Sequence, residues 1–289
     1  MHIVAAGRTY VEDEAAGALE PFEDAALYDW EYRRRRDDVR FYRTLADERG
    51  GPVLDLGCGT GRLLVPLLAD GHLVVGVDHA PAMLSRAAAR LARLRPARRR
   101  RALLVRADLR RLAFAPRFAF AVAAFHGIQH LVTDAALLGF LRRVRAALVP
   151  GGWLAFDVFA PDPAFLAKVH AAGPDRHWHR TLFRHPLTGT REAYTATYAL
   201  DARRRTLLTT FHYQPVDARG HARGPERRAR LCHRQLDPTT VADLLTRAGL
   251  ELLQSWSDFH GAPLETGSLP GGPLPGNREQ HVYLARRPI

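Results

Sequence analysis

The stretch VLDLGCGTGRLLVPLLADGHLVVGVDHAPAML, Val53 to Leu84, decides the fold. It opens on an apolar run, Val53 to Leu56, and turns through Gly57, Gly59 and Gly61. A helix-forming run follows, which Gly71 closes, and then a second apolar run ends on Asp78. Strand, glycine turn, helix and strand is the repeating unit of a parallel sheet, and it lays a ligand on a helix N-terminus. Pro66 lies inside the helical run and should kink it or shift its start.

The same alternation continues outward. Upstream, ALYDWEYRRRRDDVRFYRTLADERG (Ala26 to Gly50) reads as one helix, with Val39, Tyr42 and Leu45 at helical spacing and Gly50–Gly51 as its stop. Downstream, PAMLSRAAARLARL starts a helix on proline, where no donor is lost. RALLVRAD (Arg101 to Asp108) is a third strand, and FAFAVAAF (Phe118 to Phe125) is a fourth, apolar throughout and therefore central. TDAALLGFLRRVRAALVPGG is an amphipathic helix ending at Pro150–Gly151–Gly152, and WLAFDVFAPD is a fifth strand.

From about residue 175 the texture changes to two-residue alternation. Tyr194, Ala196, Tyr198 and Leu200 share one face, and Leu207, Thr209, Phe211 and Tyr213 share another, around the turn DARRR. RRARLCHRQLD offers a third pairing segment. Helix and strand return in PTTVADLLTRAGLELLQSWSD. A proline- and glycine-rich loop, APLETGSLPGGPLPGN, leads to a closing strand, REQHVYLARR. The expected fold is α/β: a Rossmann-like, doubly wound, seven-stranded, mostly parallel sheet with an inserted antiparallel β cap. The expected organisation is an N-terminal helical cap over 1–50 and a main domain over 51–289 that holds the β cap at 175–236.

Bulk composition narrows the function. The 289 residues are 47% hydrophobic and 25% charged, ordinary for a globular enzyme. Two cysteines, Cys58 and Cys232, stand too far apart in sequence for a metal motif or a disulfide framework, which points to a reducing, cytoplasmic setting. The acid-rich N-terminus has no apolar core, so it does not read as a signal peptide, and no run is long enough to span a membrane. The net charge of +12 is almost all arginine, with Lys168 the sole lysine. Its densest runs, YRRRRDD (Tyr32 to Asp38) and RLRPARRRR (Arg93 to Arg101), are read as solvated faces in preference to a polyanion-binding surface. His177 and His179 have no third ligand nearby in sequence, so no metal is expected.

The glycine turn does not fit a dinucleotide. That fingerprint wants glycine where Arg62 stands, and Asp55 would repel a pyrophosphate. S-adenosyl-L-methionine fits better. It has no phosphate, and it carries an ammonium and a sulfonium that suit an acid at Asp55. Bare backbone at the glycines allows close approach. Asp78 can accept from the ribose hydroxyls and Asp108 from the adenine amine, with Met83 packed on the base.

VLDLGCGTG, VVGVDHAPAML, VRADLRRL and LVPGGWLAFDVF together resemble the successive motifs of class I S-adenosylmethionine-dependent methyltransferases, tightly over about 52–160 and loosely from 238. The resemblance implies that Asp55, Gly57 and Gly59 line the methionine end, Asp78 the ribose, and Asp108 with Leu109 the adenine. Cys58 stands within the loop and is read as packing. His79 and Phe125 complete the cofactor set, with Tyr28 closing over it and Arg33 or Arg36 meeting its carboxylate. S-adenosyl-L-homocysteine would be the product.

The acceptor should lie past strand four, at AFHGIQHL. The tetrad of base-modifying DNA enzymes is absent there, which argues against adenine-N6 or cytosine-N4 methylation, and the segment instead resembles the natural-product and sugar N- or O-methyltransferases. His126 and His130 are the expected bases or acceptor partners. Gln129, Tyr32, Tyr198, Phe211 and Tyr213 are the expected acceptor-binding residues, with Tyr194 and His212 alongside. Arg278, His281 and the Trp256–Phe259–His260 cluster are weaker candidates. The expected partner is a small-molecule acceptor, with no membrane and with nucleic acid disfavoured; a homodimer stays open. The rival readings are an RNA or protein methyltransferase and a non-catalytic S-adenosylmethionine-binding regulator.

Overall fold

The computed structural model describes residues 20–264 and 280–289. The loop residues 265–277 and Arg278 therefore lie outside the described residues, as does the stretch before Glu20. In chain order the elements are α1 (Glu20–Glu23), α2 (Ala25–Glu31), α3 (Asp37–Arg49), β1 (Val53–Leu56), α4 (Leu64–Ala69), β2 (Val74–Asp78), α5 (Pro81–Ala92), α6 (Pro96–Arg99) and β3 (Ala102–Arg106). They continue as β4 (Phe118–Ala123), α7 (Asp134–Ala147), β5 (Leu148–Phe159), α8 (Pro163–Ala172), β6 (Trp178–Arg184), β7 (Arg191–Asp201) and β8 (Thr206–Pro215). The last are β9 (Arg227–Arg234), α9 (Pro238–Ala248), β10 (Glu251–Trp256) and β11 (Gln280–Arg286).

Among the described residues, seven strands form one sheet in the order β3-β2-β1-β4-β5-β11-β10. β11 runs antiparallel to both its neighbours, and the other pairs are parallel. β1 and β4 show why the parallel strands read as apolar runs. Leu54, Leu56, Ala121 and Ala123 pack on one face, with α7 and α9. Val53, Phe120 and Val122 pack on the other, with α3 and α4. Both faces are covered, so both alternating sets are apolar. The strand order reverses between β1 and β4, and a doubly wound sheet opens its ligand crevice there, at the carboxyl ends of the strands.

Three local features depart from the sequence expectation. The N-terminal helix is two helices, broken over Tyr32 to Arg36. Four consecutive arginines repel one another in a helix, whereas Asp37 and Asp38 in the first turn of α3 suit a fresh N-terminus. Pro66 does shift the helix start: α4 begins at Leu64, so the proline falls in its first turn. β5 begins at Leu148 and runs through Pro150–Gly152, and its pairing with β4 shifts register between Phe118 and Phe120.

The β cap is a four-stranded antiparallel sheet, β6-β7-β8-β9. β7, β8 and β9 follow the expected alternation, while β6 was not foreseen. The two expected faces are one. Tyr194 pairs with Tyr213, Ala196 with Phe211 and Tyr198 with Thr209, and residues directly opposite share a face. β9 extends that face through Arg227, Ala229, Leu231 and His233. α2 docks on it, packing Leu27 and Trp30 against Tyr194, Phe211, Tyr213 and Ala229. An ion pair of Glu20 with Arg230 and a hydrogen bond between Asp24 and His185 fix the cap to the N-terminal helices.

Candidate functional site

One cavity of about 680 Å³ lies between the carboxyl ends of the sheet strands, α1 and α2, and the cap face. Its lining includes Gly57, Gly59, Asp78, His79, Met83, Asp108, Leu109 and Phe125 from the core, and Tyr28 and Tyr32 from the N-terminal segment. His126 and His130 line it too, as do Tyr198, Phe211 and Tyr213 from the cap. The cavity thus brings together residues from Pro21 to His233.

Its core end is the glycine loop. Gly57 and Gly59 adopt φ of 74° and 53°, the left-handed region that favours glycine. The Asp78 carboxylate pins the loop, accepting from Gly59 N at 2.8 Å and from Ala80 N at 2.9 Å. Asp55 does not line the cavity. It sits beneath the loop at 1% exposure, and its Oδ2 has no hydrogen-bond partner. Burial, reinforced by the charge of Asp78, pushes its carboxyl up to about 7. Cys58 is buried, and a Cβ on Gly76 would lie only 2.9 Å from its Sγ, so its side chain packs against β2 and not the cavity. Asp108 lines the cavity, but Arg110 grips both its oxygens, with Nε 3.0 Å from Oδ1 and Nη2 2.7 Å from Oδ2.

The arginine expectation needs correcting. Arg33 does not line this cavity: its guanidinium lies 4.3 Å from the Trp30 ring centroid and donates to the Trp30 carbonyl. Arg33 and Arg36 instead face a neighbouring, arginine-rich cavity. Arg35 lines the main cavity, because the break after α2 turns it inward over the Phe125 ring, 5.2 Å from its centroid. Tyr28, Tyr32 and Phe125 form an edge-to-face cluster with centroids 4.7 to 6.1 Å apart. Burial raises the Tyr28 hydroxyl to about 12, so it stays protonated.

Beside the cap, His126, His130 and His233 converge, with the His130 and His233 rings 5.0 Å apart, and His130 also meets the Phe22 ring at 5.5 Å. Burial holds all three well below the usual imidazole range; His126 falls to about 3, lowered further by Arg35, and His130 to about 4. They are neutral at pH 7. Gln129 is displaced from its expected role. It is fully buried and donates to the carbonyls of Phe159 and Arg234 at 3.0 and 2.7 Å, while accepting from Phe159 N at 2.6 Å. It ties the post-β4 turn to β5 and the cap.

Besides Arg35, two titratable lining residues that escaped the sequence reading bear on the chemistry, His233 and Glu31. His233 was within reach, since it continues the alternation Ala229, Leu231 along β9. Glu31 was hidden by the presumed continuous helix. It stays open to cavity water, yet surrounding protein raises its carboxyl to about 7 against the lowering pull of Arg35. Among the described residues it has no hydrogen-bond or ion-pair partner. Tyr194 lies on the roof face but not in the cavity wall, and His212 faces away, bonded to Thr197 and Glu226. Trp256 and Phe259 pack on Phe41 of α3, and neither they nor His260 and His281 line the cavity. Of the cap-edge histidines, His177 meets Thr195 Oγ1 at 2.8 Å.

Residues 53–152 match the methyltransferase domain family. An uncharacterized methyltransferase of Geobacillus thermodenitrificans is 31% identical over 152 residues, 50% of this chain and 65% of that protein. The chain therefore spans just under two thirds of the length of that curated relative. Among solved structures, the CcbJ methyltransferase of Streptomyces caelestis superposes with a TM-score of 0.68 at 22% identity, covering 93% of this chain and 98% of that one. The S-adenosylmethionine-bound amino pentose methyltransferase CalS10 of Micromonospora echinaspora gives 0.59 at 20% identity, covering 99% and 100%. At such identities the likeness is one of fold.

Proposed function

This chain carries a methyltransferase domain on the class I S-adenosylmethionine-dependent methyltransferase fold, and from that premise we propose that it moves the methyl group of S-adenosylmethionine to a nitrogen or oxygen of a small molecule. The observation that carries the reading is one cavity with two unlike ends: a glycine loop flanked by the half-buried acids Asp78 and Asp108, and an aromatic roof with neutral histidines. Its roofing by the cap favours a small acceptor over a nucleic-acid strand or a protein.

The residues fit the cofactor. Asp55 leaves a buried carboxylate oxygen unsatisfied, a cost that a cationic ligand offsets. Gly57 and Gly59 would hold the methionine end, with Asp55 beneath the loop as a nearby negative charge and Arg35 toward the ligand carboxylate. Asp78 would accept from the ribose, and Asp108, Leu109 and Met83 would hold the base. When bound, S-adenosylmethionine would supply a methyl group on a sulfonium, suited to in-line transfer to an acceptor lone pair with S-adenosylhomocysteine as the leaving group.

The protein's part is to align the acceptor, exclude water and hold a proton. Tyr198, Phe211 and Tyr213 roof the acceptor, and His126 and His130 hydrogen-bond it as neutral imidazoles. Their low pKa makes them weak bases. Glu31, poised near 7, is better matched to take a proton from an incoming ammonium at neutral pH. An unpaired carboxylate facing an aromatic roof favours a basic amine, and the amino pentose methyltransferase CalS10 fits that preference.

The test is calorimetry with S-adenosylhomocysteine, then metabolite profiling with a labelled methyl donor. Micromolar-class binding and label in a small molecule are expected. No heat with S-adenosylhomocysteine but a signal with NADH would overturn the cofactor assignment. Glu31→Gln should lower turnover most at and above pH 7, where the carboxylate is ionised and can take a proton, with little further loss below pH 7, where it is already protonated, and should leave S-adenosylhomocysteine affinity near normal.

A further inference from the structure

Phe125 and His126 are consecutive non-glycine residues in the left-handed region, with φ of 60° and 62°. L side chains rarely adopt this conformation, and surrounding structure must enforce it. Here the enforcing group is a single side chain. Asp157, in β5, is 1% exposed. Its Oδ1 accepts from Phe125 N at 2.8 Å, and its Oδ2 accepts from His126 N at 3.0 Å. Tyr42 of α3 donates to the same Oδ1 at 2.6 Å. One carboxylate therefore gathers three donors from two separate elements.

The turn it holds aims two side chains in different directions. The Phe125 ring meets Tyr28 and Tyr32, at the N-terminal wall of the cavity. The His126 ring meets Phe159 and His233, at the cap side. The His126 Nε2 is buried 3.4 Å from Asp157 Oδ2 and makes no hydrogen bond. With no clamp, the two residues would relax toward ordinary backbone angles, and both side chains would leave these positions.

We propose that Asp157 is a positioning residue that clamps the Phe125–His126 turn and so sets the boundary between the donor and acceptor ends of the cavity. This rests on the methyl-transfer reading above only for its functional consequence; the clamp itself is a statement about the turn. Asparagine cannot replace the aspartate, since its NH₂ would face a backbone donor where an acceptor is needed. Tyr42→Phe removes one donor and leaves both turn bonds in place.

Hydrogen exchange on the full wild-type chain is the first test. The amides of Phe125 and His126 should be protected, and free exchange there would overturn the proposal. In Asp157→Asn both amides should exchange at least about tenfold faster. The His126 imidazole resonance, assigned by its loss in His126→Ala, should move. Tyr42→Phe should leave both signatures nearly unchanged. S-adenosylhomocysteine affinity should fall by no more than about threefold in Asp157→Asn while methyl transfer from labelled cofactor falls far more; equal losses at both ends would show general damage instead. If Asp157→Asn does not fold, His126→Gly in that background should restore a melting transition, because glycine tolerates this φ. No rescue would reject the strain assignment. Failure of the wild type to bind S-adenosylhomocysteine would sink the methyl-transfer reading, and exchange at the turn would still judge the clamp.

Discussion

The two ends of the cavity were assembled in opposite ways. Most of the glycine-loop end comes from one stretch, Gly57 to Met83, in which turn, helix and strand follow β1 directly, with Asp108 and Leu109 joining it after β3. The acceptor end is drawn from Glu31 in α2, His126 and His130 after β4, Phe211 in β8 and His233 in β9. The first end is fixed by local backbone geometry. The second depends on how the cap and the N-terminal helices close over the sheet. Substitutions should therefore separate the ends cleanly, with cofactor affinity reporting one and turnover the other.

The sharpest separation is expected at Asp78. Alanine there removes the proposed ribose acceptor and also frees the N–H groups of Gly59 and Ala80. Losing these bonds in a partly buried site costs about 3 kcal/mol, roughly a hundredfold in S-adenosylhomocysteine affinity by calorimetry. A normal affinity with an intact melting curve would place the ribose elsewhere and blur the comparison.

The histidines test the other end. His126→Ala and His130→Ala should each lower turnover about tenfold or more, the usual scale for a lost acid–base or hydrogen-bonding group. Cofactor affinity should stay within about threefold, since neither residue belongs to the loop. Loss of affinity without loss of turnover would reverse the assignment of ends.

These same contrasts mark how far the sequence could be read. β1 to β5 were legible because a doubly covered parallel strand must be apolar on both faces, and glycine turns punctuate it. The roof was half legible. Alternation located Tyr198, Phe211 and Tyr213, but their common face depends on pairing register, which periodicity does not state. Glu31 and Arg35 were missed because both depend on a helix break between Tyr32 and Arg36 that the spacing of Val39, Tyr42 and Leu45 gave no sign of. Asp157 read as an ordinary strand residue. Its three donors come from Tyr42, 115 positions away, and from a turn 31 and 32 positions away.

Asp55 offers a titration that distinguishes the ends. Its carboxyl stands at about 7 without ligand, raised by burial and by Asp78. A cationic cofactor favours the ionised form, so binding below pH 7 must release a proton. Affinity for S-adenosylmethionine should then fall as pH drops below about 7, by up to about tenfold per unit. Above pH 7 the dependence should flatten. Calorimetry in buffers of different ionisation enthalpy would detect the proton, and Asp55→Asn should abolish the slope. A slope that persists in that variant would assign the proton to another group, Glu31 first.

The smallest effect is expected where the charge is densest. Arg98 to Arg101 lie in and just after α6, a single exposed turn that contributes nothing to the cavity wall. Arg101 spends its charge on the Gly71 carbonyl at 3.2 Å, a local tie between loops. Replacing all four with glutamine removes four positive charges at a distance from the chemistry, where water and salt screen them. Turnover on the acceptor and affinity for S-adenosylhomocysteine should both stay within about twofold. Any binding of nucleic acid should be weak, fall steeply with salt and fall again in this variant, because arginine–phosphate contacts release counterions. The contrary outcome has a distinct form. Lost turnover with unchanged cofactor affinity, while both histidine variants stay active, would move the acceptor out of the roofed cavity and onto this basic face.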